Sequence, residues 1–337
     1  MTVKFIVTGD LHYRGINPRA RLDNFKEALT KKLYEVYSLA AHHSAKAIII
    51  PGDVFDGPSP GWGTAAELGA MLQLAPCPVL TIPGNHDVWA GNPGSKYRTP
   101  FGMLGRLGVL WDLTDEQFEC HYYYKDAASD PFNLFVTGHG FTVETDTELG
   151  KRQFMPPDEG MPAGACIVHV VHSMLMDHSP GFEMRHTLIS QVETMAQVII
   201  SGHEHIGFGI KRRDDGVLFI NPGALCRLSA HHEEIARRVQ VALLTVHEGG
   251  ECEAGLIPLK CAAPGHEVLS RAHLEAEAER NDRLEKFLAL LASEGESKFL
   301  EVREIVEDIA AREQLPGEVK TEALRRIGEA RERLEVG

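Results

Sequence analysis

Pro78-Val79-Leu80-Thr81-Ile82-Pro83-Gly84-Asn85-His86-Asp87 sets the reading of this chain. A short apolar run with strand character stops at a proline and a glycine, and an amide, an imidazole and a carboxylate follow at once. The same design occurs twice upstream. Phe5 to Thr8 runs into Gly9-Asp10-Leu11-His12, and Ala47 to Ile50 runs into Pro51-Gly52-Asp53-Val54-Phe55-Asp56. Between these runs, Asp23 to Ala40 spaces Phe25, Leu29, Leu33, Val36 and Leu39 as one face of a helix, and Ala65 to Leu74 suits another. Strands alternating with helices predict an α/β sheet, with a site outside the carboxyl ends of its strands.

From Trp111 onward the pattern becomes β-rich. Strand-like runs cover Glu119 to Lys125, Phe132 to Thr137, Cys166 to Val171, Gln197 to Ile200, Val217 to Ile220 and Val239 to Val246. Two of them end in further polar islands, Val171-His172-Ser173 and Gly202-His203-Glu204-His205. Thr145 to Gly164, which carries Lys151 and Arg152, is polar and broken by Pro and Gly, and reads as a long functional loop.

Carboxylate, imidazole and amide groups together offer oxygen and nitrogen ligands without thiolate, a set suited to Mn²⁺, Fe or Zn²⁺ rather than Ca²⁺. The six cysteines are scattered, without C-x-x-C spacing, and read as buried or incidental thiols. Taken singly, each island reads as turn or cap residues sooner than as a metal site. Five in order are a different matter. His169 rivals His172, but it lies mid-strand, where packing in a core is the ordinary reading, whereas His172 ends its run. His139, His178 and His186 read as turn or surface histidines, as do the pairs His42-His43 and His231-His232. Asn221-Pro222-Gly223 reads as a β-turn.

The series D-x-H, G-D-x-x-D, G-N-H-D, H and G-H-x-H resembles the calcineurin-like metallophosphoesterases over roughly residues 5 to 225. That resemblance implies a four-layer α/β/β/α sandwich of two mixed sheets, with two divalent metal ions at the strand ends. Manganese is the first expectation, and Fe, Zn²⁺, Ni²⁺ or Mg²⁺ are the alternatives. By the same resemblance, Asp10, His12, Asp53 and His205 hold one metal and Asp53, Asn85, His172 and His203 the other, with Asp53 bridging. A metal-bridging hydroxide would attack phosphorus in line. His86 takes the role of general acid for the leaving oxygen, and Asp87 orients its imidazole.

Within this superfamily the chain departs from Ser/Thr protein phosphatases. Gly57-Pro58 follows Asp56 where they carry Arg-Gly, and Asp87 stands where they carry Glu. The order of motifs, Arg21 near the first helix and a late helical segment are most similar to SbcD-type repair exonucleases and their phage relatives. This implies a DNA exo- or endonuclease, with a small-molecule nucleotide phosphodiesterase or phosphomonoesterase as the alternative. Some SbcD-type members have histidine where this chain has Asp56. Arg14, Lys151, Arg152 and Arg227 are the candidate contacts to substrate phosphate.

Composition agrees with an enzyme. Of 337 residues, 48 are acidic and 34 basic, a formal charge of -14 that excludes a free-standing basic nucleic-acid binder, so a polyanionic substrate needs a local positive centre. Residues 1–264 are expected to form the catalytic domain. Residues 265–337 carry -6 of the charge and show three helical stripes: Leu284, Phe287, Leu288 and Leu291; Val302, Ile305, Val306 and Ile309; Leu324, Ile327, Ala330 and Leu334. This region is expected to pack on the protein, pair with a second copy, or bind a partner such as the coiled-coil ATPase of SbcD-type complexes. No span of about 20 apolar residues occurs, and no charged leader precedes the first strand, so a cytoplasmic location without membrane attachment is expected.

Overall fold

A computed structural model of the chain describes residues 2–115, 121–124, 133–157, 161–162, 164–272, 280, 283, 305–307, 309–311, 313 and 315–335. Its contacts fall into two compact units, Met1–Ser270 and Arg271–Gly337. The first is built on two six-stranded mixed sheets. One sheet runs in the order β14 (Cys252–Pro258), β13 (Gln240–His247), β1 (Thr2–Val7), β2 (Ala47–Ile50), β3 (Val79–Thr81) and β4 (Trp111–Asp112). The other runs β11 (Gly209–Arg212), β12 (Leu218–Asn221), β10 (Val198–His203), β7 (Cys166–Ser173), β6 (Leu134–His139) and β5 (His121–Tyr124). β1, β2, β3 and β4 pair in parallel, with β13 and β14 added antiparallel beyond β1, and β6, β7, β10 and β12 pair in parallel between the antiparallel edge strands β5 and β11. A two-stranded sheet, β8 (Leu175–Met176) with β9 (Thr187–Leu188), stands apart.

Alternation along each strand assigns its faces. In β1, Phe5 and Val7 point between the sheets, where they join Ile49, Leu80, Val136, Val168, Val170 and Ile200 in one core. Ile6, between them in sequence, points the other way and packs with Ile48, Ile50 and the helices. A slip of one residue would exchange these two sets, so the buried faces fix the register. The helices are α1 (Phe25–His42), α2 (Trp62–Leu72) and α3 (Pro100–Arg106). α1 begins where Asn24 accepts the N–H of Glu27 at 3.2 Å, and it buries Phe25, Leu29, Leu33 and Val36 against the sheet. Capping of this kind contributes about 1 kcal/mol.

The outer face of the second sheet is covered differently. Ile167, Val171, Ile199 and Phe219 pack under Phe154, Leu175, Ile189 and Val192, from segments carrying the 3-10 helices Leu149–Phe154 and Ile189–Gln191. The fourth layer is thus made of short helical turns, and part of the polar Thr145 to Gly164 stretch belongs to it. Gln153 and Phe154 are buried, and the Gln153 carbonyl accepts His169 Nε2–H at 2.8 Å. Strands β11 and β14 escape sequence reading because β11 is four residues long with an exposed Lys211-Arg212 end, and Gly255 interrupts the largely exposed run of β14.

Two short helices, α4 (His232–Ala236) and α5 (Gly265–Val268), complete the first unit. The second unit contains α6 (Gly317–Glu335), the helix expected from Leu324, Ile327, Ala330 and Leu334, with Glu322 paired to Arg325 and Arg326 on its surface. Of the two earlier stripes, only Ile305, Val306 and Ile309 lie among the described residues. No helix among the described residues is long and apolar enough to cross a membrane.

Candidate metal centre

The five polar islands converge. β1, β2 and β3 deliver Asp10, His12, Asp53, Asn85 and His86 from the first sheet, and the ends of β7 and β10 deliver His172, His203 and His205 from the second. Backbone bonds clamp the loops to each other. The Asp53 carbonyl accepts N–H from both Leu11 and His12, at 3.1 and 2.9 Å, and Leu225 N–H donates to the Asp10 carbonyl at 2.9 Å. The turn at Asn221 supports the opposite side, since its side chain donates to the Glu204 carbonyl at 2.9 Å and Ala224 N–H donates to the His205 carbonyl.

Two of the motif glycines are required by close approach. A Cβ at Gly84 would stand 2.7 Å from Asp53 Cγ, and one at Gly202 would stand 2.5 Å from Asp10 Oδ1. Three of the polar residues themselves hold left-handed backbone, His12 at φ 46°, Asp53 at φ 48° and His203 at φ 73°. Such conformations persist where surrounding structure enforces them, as it does at functional sites.

Asp10, His12 and His205 offer ligand atoms to one point, and Asp53, His172 and His203 to a second. In the first group, His12 and His205 face each other through Nε2 atoms 2.9 Å apart, 3.8 and 3.5 Å from Asp10 Oδ2. In the second, His172 Nδ1 donates to the Pro51 carbonyl at 2.7 Å, which leaves Nε2 as the nitrogen turned inward, 3.0 Å from Asn85 Oδ1, where a cation would take the place of its proton. Asp53 stands between the groups. Its Oδ1 accepts the His86 N–H at 2.8 Å, while Oδ2 lies 3.4 Å from His12 Nε2 and 3.3 Å from His172 Nε2 and is buried without a hydrogen bond. An orphaned carboxylate oxygen between two sets of imidazoles fits two cations sharing a ligand, and the oxygen and nitrogen donors suit borderline or hard divalent ions.

The electrostatics are those of crowded, buried groups. Burial alone would raise Asp53, but the charges of His172 and His12 and the His172 hydrogen bond hold it well below the usual carboxylate range. Burial lowers His172, yet Asp53 and Asp10 carry it up to about 10. His203 and His205 are pushed down to about 3, by burial first and then by neighbouring imidazoles. Asp10, His12, Asp53 and His172 form a buried floor, and Asn85, His86, His203 and His205 a half-exposed rim.

A third convergence, His12, Asp56 and His86, adjoins the first group. Asp56 was expected only as a motif residue. Its carbonyl meets His86 Nδ1 at 3.0 Å, and its carboxylate lies 3.4 Å from His12 Nδ1 and pairs with Arg14 at 2.9 Å. The expected orienting role of Asp87 needs correction: its buried carboxylate accepts the N–H groups of Val54, Phe55 and Gly84 at 3.0 to 3.1 Å, so it braces loops, and the Asp56 carbonyl fixes the His86 ring. Phe141, absent from the sequence reading, sets its ring 5.7 Å from that of His203 and 6.1 Å from that of His172. No local pattern marks it.

Of the candidate phosphate contacts, Arg14 reaches the centre through Asp56. Lys151 pairs with Glu148 at 2.7 Å, and Arg152 lines a cavity of about 900 Å³ with His139 and Glu144. Arg227 is buried and donates to the carbonyls of Ala263 and Arg237, outside the three groups. His169 is a core residue, held by Thr137 and Gln153. No cysteine joins a candidate metal group among the described residues.

The family model for calcineurin-like phosphoesterases matches residues 3–207. A search of curated proteins finds no match. Among solved structures, a protein of Thermus thermophilus, TT1561, is similar at 12% identity over 76% of this chain and 99% of that one, with a TM-score of 0.40. The calcineurin-like phosphoesterase YfkN from Bacillus subtilis is similar at 9% identity over 76% and 90%, with a TM-score of 0.45. A dimetal phosphatase from Danio rerio is similar at 12% identity over 76% and 98%, with a TM-score of 0.44.

Proposed function

Because this chain belongs to the calcineurin-like phosphoesterase family, we propose that it hydrolyses phosphodiester bonds at a two-metal centre and that its substrate is DNA. The observation that carries the hydrolase reading is the position of Asp53, whose unpartnered Oδ2 faces imidazoles of both groups. Asp10, His12 and His205 would hold one divalent ion, and Asn85, His172 and His203 the other, with Asp53 common to both. When bound, such ions polarise phosphoryl oxygens and lower the pKa of a water. The protein's own groups do the rest. His86 Nδ1–H is engaged by the Asp56 carbonyl, which leaves Nε2 to deliver a proton to the leaving oxygen. Arg14, held by Asp56 at the rim, meets a phosphate oxygen.

The motif order and the helical region after residue 264 support an SbcD-type nuclease with manganese, in which that region engages a coiled-coil ATPase or a second copy. One observation favours the second reading, a small nucleotide phosphoester: Arg227 is buried away from the three ligand groups and Lys151 is paired with Glu148, so neither offers an uncompensated charge to a DNA backbone at the metal centre. The deciding experiment adds Mn²⁺ to metal-stripped protein and compares single-stranded and duplex DNA with phosphodiester and phosphomonoester reporters. Degradation of DNA that is lost in Asp53→Ala supports the nuclease, and cleavage of reporters alone overturns it in favour of the small substrate.

A further inference from the structure

Beside the first turn of α1, a cavity of about 180 Å³ is lined by Arg21, Lys31, Lys32 and Arg227 against the carboxylates of Asp23 and Glu27. In a chain of net charge -14, such a local excess of cations calls for a reason. Three of these cations are buried: Arg21 is 8% exposed, Lys32 4% and Arg227 3%.

A direct ion pair reaches only one of them, although Glu234 and Asp23 act on Arg227 through space. Arg21 alone meets a carboxylate, donating to both oxygens of Asp23 at 2.7 Å. Lys32 Nζ donates to the Leu225 carbonyl at 2.8 Å, and Arg227 donates to the carbonyls of Ala263 and Arg237 at 2.7 and 2.6 Å. The Nε–H of Arg227 is buried without any acceptor. Carbonyl dipoles satisfy donors but do not cancel charge, and a buried cation without a counter-charge is costly. Burial, together with repulsion from Arg21, Arg227 and Arg237, pushes Lys32 down to about 8, and burial with the charge of Arg237 pushes Arg227 down to about 10. Arg237, behind them, is already committed to Glu234. Lys31 stands exposed at the cavity with no ion pair among the described residues. The N-cap Asn24 also lines the space, so the positive end of an 18-residue helix adds to the field.

We infer that this cavity is an anion site, separate from the metal centre, that binds a phosphate-class oxyanion, either free or as the phosphoryl group of a nucleotide. A tetrahedral dianion matches a space that would otherwise hold a few waters of about 30 Å³ each, and it supplies the acceptors and the charge that Arg227, Lys32 and Lys31 lack. The mixture of arginine forks and lysine point charges is the donor set phosphate takes.

The test is calorimetric titration of the full-length, metal-stripped protein with inorganic phosphate at low ionic strength, followed by AMP. One phosphate per chain is expected, weakened at least tenfold by Lys31→Glu and by Lys32→Met, and unchanged by Arg14→Ala. Lys31→Glu changes an exposed side chain, so it keeps the test valid if Lys32→Met fails to fold. Tighter binding of AMP than of phosphate assigns the anion to a nucleotide, and weaker binding assigns it to the free ion. Binding that survives both lysine variants, binding that disappears in Arg14→Ala, or no saturable binding at millimolar phosphate overturns the site.

Discussion

A methyl group added at Gly84 would lie 2.7 Å from Asp53 Cγ. The Gly84→Ala variant must therefore displace the carboxylate that stands between the two ligand groups. Overpacking of this sort costs about 1–3 kcal/mol, but the larger effect falls on the metals. Metal content measured by mass spectrometry should drop in Gly84→Ala, and turnover should fall by about a hundredfold or more.

His86 and His172 should separate under substitution. His172→Asn removes an inward ring nitrogen held in place by the Pro51 carbonyl and should lose metal and activity together. His86→Asn should keep both metals and lose roughly 10²–10⁴-fold in rate, most strongly for poor leaving groups. Equal metal loss in the two variants would show that His86 is a ligand.

Asp87→Asn tests the bracing role. The carboxylate accepts three backbone N–H groups, and an amide turned toward them presents a donor to donors. A destabilisation of about 1–3 kcal/mol per unmet group is expected in urea melts, with metal affinity falling because the Asp53 and Gly84 loops loosen. A normal melt with only a shifted pH–rate profile would restore the orienting role.

His169 should make the fold sensitive to acid. Burial holds its imidazole down to about 4, against 6.5 for the unfolded chain. The unfolded state takes the proton first as pH falls, so the stability contribution is complete above pH 6.5 and is lost progressively toward pH 4, about 3 kcal/mol in all. Urea melts across that window should show a shallower acid limb in His169→Gln than in the parent chain. Parallel limbs would remove His169 as the cause.

The series of strand-terminating islands made the site legible because the chemistry was local. Asp10-Leu11-His12, Gly84-Asn85-His86 and Gly202-His203-Glu204-His205 each announce themselves within a few residues, and the periodicity of β1 and α1 orients what lies between. What the sequence concealed depends on partners distant in the chain. Nothing near Asp87 indicates that Val54 and Phe55 would claim its oxygens, and nothing near Phe141 brings it beside His203. The stretch from Thr145 to Gly164 read as a loop because its polar residues mask Gln153 and Phe154, whose burial comes from the outer face of the second sheet. Arg227 read as a candidate phosphate contact because an arginine is ordinarily exposed, and only the fold reveals it as buried.

The left-handed backbone at His12, Asp53 and His203 implies a conflict between durability and chemistry. Each such conformation in a residue bearing a Cβ costs on the order of 1–3 kcal/mol, and glycine would relieve it. A library selected for heat resistance alone should drift toward glycine or asparagine at these three positions and emerge sturdier and inert. Directed evolution of this scaffold would need selection for turnover in every round, with stabilising changes sought away from the strand ends.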